Sequence, residues 1–254
     1  MIPDLKNKVV LITGASTGIG AAVALGFGAN GARVAVHYNS SEGAANQVAA
    51  GIRQGGAEAI TIHGDVTATA NIRAIIDKTV AHFGRIDILI NNAGALVRRC
   101  PIAEMTDELF DTVVSLNVRS VVAACRDAVP HFRRQGGGNI INVTSIAARN
   151  GGGPGSSIYA GAKAFVSTVT RGLAKELAAE RIRVNGVSPG VIQTPFHERF
   201  STPQQLAGLQ ATIPMNRLGT AEECVGAFLY LASDQLSAYV TGQILEVNGG
   251  QLMP

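Results

Sequence analysis

The chain has 254 residues, 46% of them hydrophobic and 15% charged, with 21 Lys and Arg against 18 Asp and Glu for a net charge of +3. That balance supplies a large core and excludes a disordered or strongly charged chain. No block of Lys and Arg marks a nucleic-acid surface, and no apolar run approaches the roughly 18 residues of a membrane span. Neither nucleic acid nor a membrane is expected as a partner.

The elements are read in chain order from apolar runs and helical spacing. Residues 8–12 form a buried strand and 19–30 a helix. A strand at 33–37 is followed by a helix at 44–54, a strand at 59–62 and a helix at 72–83. A continuous apolar run at 86–90 precedes one long helix over 107–134 and a strand at 139–143. The remainder reads as a helix at 159–179, a strand at 183–187, a helix at 221–232 and a last strand at 243–247. Continuous apolar strands separated by helices imply a parallel sheet covered on both faces. With right-handed crossovers this is a doubly wound, Rossmann-type α/β fold. No linker or repeat divides it, so a single domain is expected.

The segment 194–216 fits neither strand nor a strongly periodic helix, and contains Pro195, Pro203 and Pro214. A long irregular insertion after a strand end is expected to be a lid over substrate. Cys100, Cys125 and Cys224 are too scattered for a disulfide framework or a zinc site. They are expected to be reduced and mostly buried, and no metal is expected. The N-terminal MIPDLKNKVVLITGAS lacks a signal-peptide pattern, which gives the expectation of a cytoplasmic protein.

Thr13-Gly14-Ala15-Ser16-Thr17-Gly18-Ile19-Gly20 joins the first strand to the first helix. Glycines let the chain turn tightly and let phosphates come close. The free N–H groups and dipole at a helix start then favour a pyrophosphate. Glycines of this spacing also serve plain turns, but the strand before and the helix after supply the context of a dinucleotide cradle.

The spacing Gly-x-x-x-Gly-x-Gly resembles that of the short-chain dehydrogenase/reductase family, and the resemblance runs along nearly the whole chain. It implies that Asp65 and Val66 hold an adenine ring. It also implies that Asn92, Ala93 and Gly94 line the cofactor after the fourth strand, and that Pro189, Gly190 and Thr194 surround the nicotinamide carboxamide. NAD-using Rossmann proteins carry an acidic residue about 20 residues beyond the glycines. Counting from the second strand puts that place at Tyr38, with Asn39 and Ser40 next, and none is acidic. NADP(H) is therefore expected over NAD(H), with these three as neutral donors to the 2′-phosphate, although Thr17 stands where many NADP-using relatives carry a basic residue.

Tyr159 and Lys163 stand at i and i+4, on one face of a helix. The spacing alone also fits an exposed Tyr–Lys pair. A phenol ionises near pKa ~10, and a neighbouring cation favours the phenolate. Ser145 follows the strand 139–143 at the sheet end where such folds bind ligands. Its hydroxyl is suited to polarise a carbonyl oxygen, with Thr144 as a rival. The Tyr-x-x-x-Lys match strengthens the resemblance, which also implies that Asn117 holds a water relaying protons to Lys163.

Together these imply an oxidoreductase interconverting a ketone and a secondary alcohol, with Tyr159 as general acid or base and Ser145, Lys163 and Asn117 assisting. The partner is a small carbonyl or alcohol substrate. A 3-oxoacyl-carrier-protein reductase is the alternative, set against Glu180 where such enzymes carry basic residues. A non-catalytic cofactor-binding regulator is a different class, disfavoured by the retained Tyr159 and Lys163. The loop from Ser145 to Tyr159 is one residue longer than usual in the family, and its extra glycine is expected to bulge away from the site. Arg98, Arg99, Arg149 and Asn150 fit either substrate contact or solvated loops. Val113, Val114, Val118, Val121, Val122 and Ala123, with Ala162, Val166, Val169 and Leu173, are more apolar than one sheet face needs. Leu252 and Met253 add an apolar end, and a homotetramer is expected.

Overall fold

A computed structural model describes residues 1–253. The elements are β1 (Val9–Ile12), α1 (Gly18–Ala29), β2 (Arg33–Tyr38), α2 (Glu42–Gln54), β3 (Ala59–His63), α3 (Thr69–Phe83) and β4 (Ile88–Asn91). There follow α4 (Asp107–Val114), α5 (Ser120–Gln135), β5 (Gly138–Val143), a short α6 (Ala147–Asn150), α7 (Ser157–Leu177) and β6 (Ile182–Pro189). The chain ends with β7 (Ile192–Gln193), α8 (Pro195–Phe200), α9 (Pro203–Gln210), β8 (Gly219–Thr220), α10 (Ala221–Ala232), α11 (Asp234–Ser237) and β9 (Ile244–Val247).

Seven strands pair in parallel in the order β3-β2-β1-β4-β5-β6-β9. All four side chains of β1 and of β4 are buried, as strands covered on both faces require. One core cluster gathers Val10, Ile12 and Ile90 with Phe27, Val48 and Phe228 from α1, α2 and α10. The other gathers Leu11 and Leu89 with Ile76, Phe132 and Val166 from α3, α5 and α7. Strands β1 to β3 are added toward one edge and β4 onward toward the other, and this switch between β1 and β4 opens a crevice at the strand C-terminal ends. This is the Rossmann-type arrangement read from the sequence.

Three differences bear on function. The expected single helix over 107–134 is interrupted by a π-helical turn at Ser115–Arg119. Asn117 lies inside it, and its Nδ2 donates to the Val113 and Ala95 carbonyls, each at 2.9 Å. A side chain that competes for the backbone carbonyl one turn earlier accompanies the widened turn, and such turns cluster at functional sites. The segment 194–216 is more ordered than its prolines suggested. Pro195 and Pro203 open α8 and α9, where a missing N–H costs nothing. A reciprocal cap between Thr202 and Gln205 fixes the start of α9. Finally, Val113, Val121, Ala123, Ala162 and Val166 belong to the core of this chain. The apolar side chains left exposed on these helices are Phe110, Val122 and Phe165.

Candidate active site

A cleft of about 570 Å³ opens at the strand C-terminal ends, running from the β1–α1 turn to the α8–α9 segment. Its floor at one end is the glycine turn. Gly14 and Gly18 have φ of +63° and +55°, a left-handed conformation that favours glycine. A Cβ on Gly20 would stand 2.3 Å from the Gly14 carbonyl oxygen and 2.5 Å from Asn92 Nδ2, so no larger residue fits. Thr17 caps α1 without a side-chain hydrogen bond. The first-turn N–H groups at Gly18, Ile19 and Gly20 thus keep no partner within the helix. A bare cradle of donors at a helix start suits a pyrophosphate.

Neighbouring side chains hold this turn rigid. The Gly14 N–H donates to His37 Nδ1 at 3.0 Å, and His37 Nε2 faces the Gly64 carbonyl at 2.8 Å. The ring is therefore the Nε2–H tautomer, and burial pushes its pKa down. Asn92 Nδ2 donates to the Thr13 and Gly14 carbonyls, both at 2.9 Å. The N–H groups of Asn92 and Ala93 donate to Thr13 Oγ1 at 3.0 Å. One threonine thus ties β1 to the turn after β4.

Gly14, Ser16, Thr17, Gly18, Ile19, Gly20, Asn39, Ser40, Asp65, Val66, Asn92, Ala93, Gly94, Pro189, Gly190 and Thr194 all line the cleft. Tyr38 does not. It is the last residue of β2 and shares a face with Val34 and Val36, packed into the core beside α2. Its ring lies 5.4 Å from that of His63. Strand alternation turns the adjacent His37 to the cleft in its place. Of the three residues counted for that position, Asn39 and Ser40 reach the cleft and Tyr38 does not.

At the other end Ser145, Tyr159 and Lys163 come together. Lys163 Nζ donates to the Val143 carbonyl at 2.8 Å and lies 5.8 Å from the centre of the Tyr159 ring. Burial pushes the phenol up to about 12, and a hydrogen bond with the Ser145 hydroxyl pulls the other way. Burial brings the Lys163 ammonium down to about 8. For both groups burial is the larger influence, and it disfavours the charged form of each. Thr144, the rival hydroxyl, accepts from the Ser145 N–H and from Ser167 Oγ at 3.0 Å. It is committed to holding the strand end.

Asn117 is fully buried. Its Oδ1 accepts from the Ala95 N–H at 3.2 Å. A Cβ on Gly94 would stand 2.7 Å from this oxygen and 3.0 Å from Lys163 Nζ. Glycine leaves that space open between the asparagine and the amine, where a water has polar partners on both sides.

The segment 194–216 begins against the cradle, where Thr194 carbons lie 3.3 Å from the site of a Gly18 Cβ. Phe196 stacks its ring 5.9 Å from that of Tyr159. Arg99 Nε donates to the Phe200 carbonyl at 2.8 Å and Nη1 to the Pro154 carbonyl at 2.9 Å. It fastens the end of α8 to the loop before α7. Gly152 and Gly153 line the cleft, so the glycine-rich loop turns toward the site instead of bulging away. Gly152 has φ of +73°, and a Cβ there would meet Ser156 Oγ at 2.4 Å. Sequence reasoning also missed His37, Phe196, His197, Leu209 and Gln251 as lining residues. His37 stands one step from a counted position, and Phe196, His197 and Leu209 fall within the segment 194–216 already expected to cover the substrate, whereas Gln251 left no signal.

The family model described as enoyl-(acyl carrier protein) reductase matches residues 14–251. The 3beta-hydroxysteroid dehydrogenase 1 of Eggerthella lenta is 39% identical over 255 residues, spanning 100% of this chain and 97% of its own. A 3-oxoacyl-[acyl-carrier-protein] reductase of Synechocystis sp. is 39% identical over 249 residues, spanning 98% of each chain. Among solved structures, the NADH-dependent reductase A1-R′ responsible for alginate metabolism is 36% identical with a TM-score of 0.91, covering 99% of this chain and 100% of that one. The same reductase complexed with NAD gives a TM-score of 0.89 with full coverage of both chains. A glycine cradle at the β1–α1 turn, a Ser–Tyr–Lys cluster across the same cleft and these end-to-end matches lead to one conclusion: the chain belongs to the short-chain dehydrogenase/reductase family, oxidoreductases that bind NAD(H) or NADP(H) and interconvert a ketone and a secondary alcohol.

Proposed function

We propose that Tyr159 is the general acid in ketone reduction and the general base in alcohol oxidation. The observation that carries this is the half-buried Tyr159 sharing the cleft with Ser145, with Lys163 Nζ 5.8 Å from its ring centre, at the strand ends beside the cradle. When bound, the nicotinamide supplies or accepts the hydride. Ser145 and Tyr159 hold the substrate oxygen between their hydroxyls, and the phenolic proton moves to that oxygen as charge develops. With a phenol pushed up to about 12, Tyr159 carries its proton at neutral pH, as an acid must. Lys163 returns a proton toward the phenol, and Asn117 Oδ1 holds the water in the space above Gly94.

The cradle residues Gly14, Ser16, Thr17, Gly18, Ile19 and Gly20 would bind the pyrophosphate. Asp65 and Val66 would take the adenine, and Asn92, Ala93, Gly94, Pro189, Gly190 and Thr194 the nicotinamide half. NADP(H) is the favoured cofactor, because Asn39, Ser40 and Ser41 bring no carboxylate to the cleft beside the cradle. The whole chain acts as one catalytic domain, and 194–216 is its substrate lid, supported by the position of Phe196 against Tyr159. Exposed Phe110, Val122 and Phe165 on α4, α5 and α7 support a homotetramer with helices paired about a two-fold axis. Among the described residues no helix is long and apolar enough to cross a membrane, and a cytoplasmic enzyme is the reading we favour.

A carrier-protein substrate is the second reading, favoured by the Synechocystis relative. Against it, Glu180 is half-buried in the turn just after α7 and pairs with Arg133, so this place offers an acidic carrier no free cation. The test is a panel of ketones, sugars and acyl thioesters with both cofactors. Turnover of small ketones, tighter with NADPH, is expected. Turnover confined to carrier-linked thioesters would overturn the small-substrate reading.

A further inference from the structure

We propose that the substrate is a carbonyl compound bearing a carboxylate, and that Arg99 receives that carboxylate at the far end of the cleft. The proposal rests on the reading that Ser145 and Tyr159 take the carbonyl oxygen, and it names what sits at the other end of the same molecule.

Among the cleft-lining residues the one acidic side chain is Asp65. It lies after β3, at the nucleotide end. The half bounded by Leu96, Tyr159, Phe196, His197 and Leu209 has no carboxylate in its lining. Arg99 lies in that half. Among the described residues it forms no ion pair, while Arg149 sits 4.0 Å from Glu246. Arg98 is exposed and outside the lining. Lys163 is committed to Val143 and to the phenol. Burial and the nearby Arg99 cation both push the His197 pKa down, which disfavours a second cation there. Among the described residues lining that half, the half-buried Arg99 is thus the one arginine, and it has no counter-ion. An apolar-walled cleft of one sign of charge draws in the opposite sign.

Geometry then makes the charge a receptor. Two backbone carbonyls, those of Phe200 and Pro154, fix the guanidinium through Nε and Nη1. Both are neutral acceptors, so they orient the group and leave its charge uncompensated. Nη2 has no hydrogen-bond partner among the described residues. A donor already immobilised loses little entropy when a ligand arrives. Arg99 holds the C-terminal end of α8, whereas Thr194 at its N-terminal end meets the cradle. The six residues of α8 separate the two by about 9 Å at ~1.5 Å per residue. The cation is therefore placed for the substrate, not for the pyrophosphate. One guanidinium balances one carboxylate, while a phosphate ester brings roughly −1.5 to −2 at neutral pH.

The test uses oxo acids of graded chain length, each matched with its primary amide, and reads the acid-to-amide ratio of kcat/KM. The wild-type protein should favour the acid by about tenfold or more, and Arg99→Gln should bring the ratio close to one. A wild-type ratio near or below one would overturn the proposal, as would a ratio that survives in Arg99→Gln. If Arg99 only fastens the lid, the variant lowers both members of each pair together and keeps the ratio. Should Arg99→Gln fail to fold, added salt on the wild type decides. The acid's kcat/KM should fall with ionic strength and the amide's should not, and two flat profiles would overturn the idea. Tyr159→Phe on the same pairs separates the two readings. Loss of both members keeps the catalytic site as assigned, and retained turnover of both would remove that assignment whatever Arg99 does.

Discussion

Lys163 donates its amine to the Val143 carbonyl at 2.8 Å, at the last residue of β5, with no carboxylate beside it. The fold thereby keeps a cation in a place where burial brings it down to about 8 from 10.5. Between those values the unfolded chain binds more protons than the folded one, so this group makes stability rise with pH. Below about pH 8 the buried charge costs the fold roughly 3 kcal/mol, offset by about 1 kcal/mol from its hydrogen bond. Lys163→Met should therefore abolish activity yet unfold at higher denaturant than the wild type at pH 7. The gap should close as pH approaches 10.5. Chemical denaturation at several pH values checks this, and a variant less stable at every pH would contradict it.

Asn117 should matter twice. Its side chain joins Ala95 through both a donor and an acceptor and reaches Val113 as well. Asn117→Leu leaves those buried groups unpaired, at a cost of about 2–4 kcal/mol. Thermal unfolding should shift down by several degrees. Turnover should fall further than that loss explains, because the water beside Lys163 loses its acceptor. A drop in stability with unchanged kcat would limit Asn117 to a structural part.

Cofactor choice is best tested at Asn39, which faces the cleft, and not at Tyr38, which faces the core. Asn39→Asp should weaken NADPH relative to NADH by about tenfold, since a carboxylate there repels a 2′-phosphate. Titration of both cofactors measures the ratio. An unchanged ratio would place the 2′-hydroxyl elsewhere.

Gly20→Ala should close the cradle. The added methyl would meet the Gly14 carbonyl and Asn92, both fixed by hydrogen bonds. Cofactor dissociation constants should rise by at least about tenfold, while Gly161→Ala, on open helix surface, should leave them unchanged. Equal affinity in the two variants would remove the cradle assignment.

Much of this was readable before any coordinates. Residues 9–12 and 88–90 are apolar on both faces, so their runs announce buried parallel strands, and Gly14, Gly18 and Gly20 stand where backbone must be approached closely. Tyr159 and Lys163 are one helical turn apart, so local spacing sufficed. The failures are of other kinds. At the end of β2 a shift of one residue exchanges core for cleft, which is why Tyr38 was named and His37 was not. Pro195 and Pro203 looked like irregularity, although the same residue starts helices. Arg99 meets Phe200 at a sequence separation of 101 residues, and no periodicity records where so distant a segment will fold. Val113 and Val121 were assigned to a partner because apolar spacing does not say which surface covers it.

The central claim is that Tyr159 transfers the proton. The most direct measurement is single-turnover reduction of a ketone by Tyr159→Phe, followed by cofactor absorbance, beside cofactor binding to the same variant. Binding should be nearly unchanged and the hydride-transfer rate should fall by about 10²–10⁴-fold. A rate within a few-fold of wild type, with binding intact, would show that the proton comes from elsewhere.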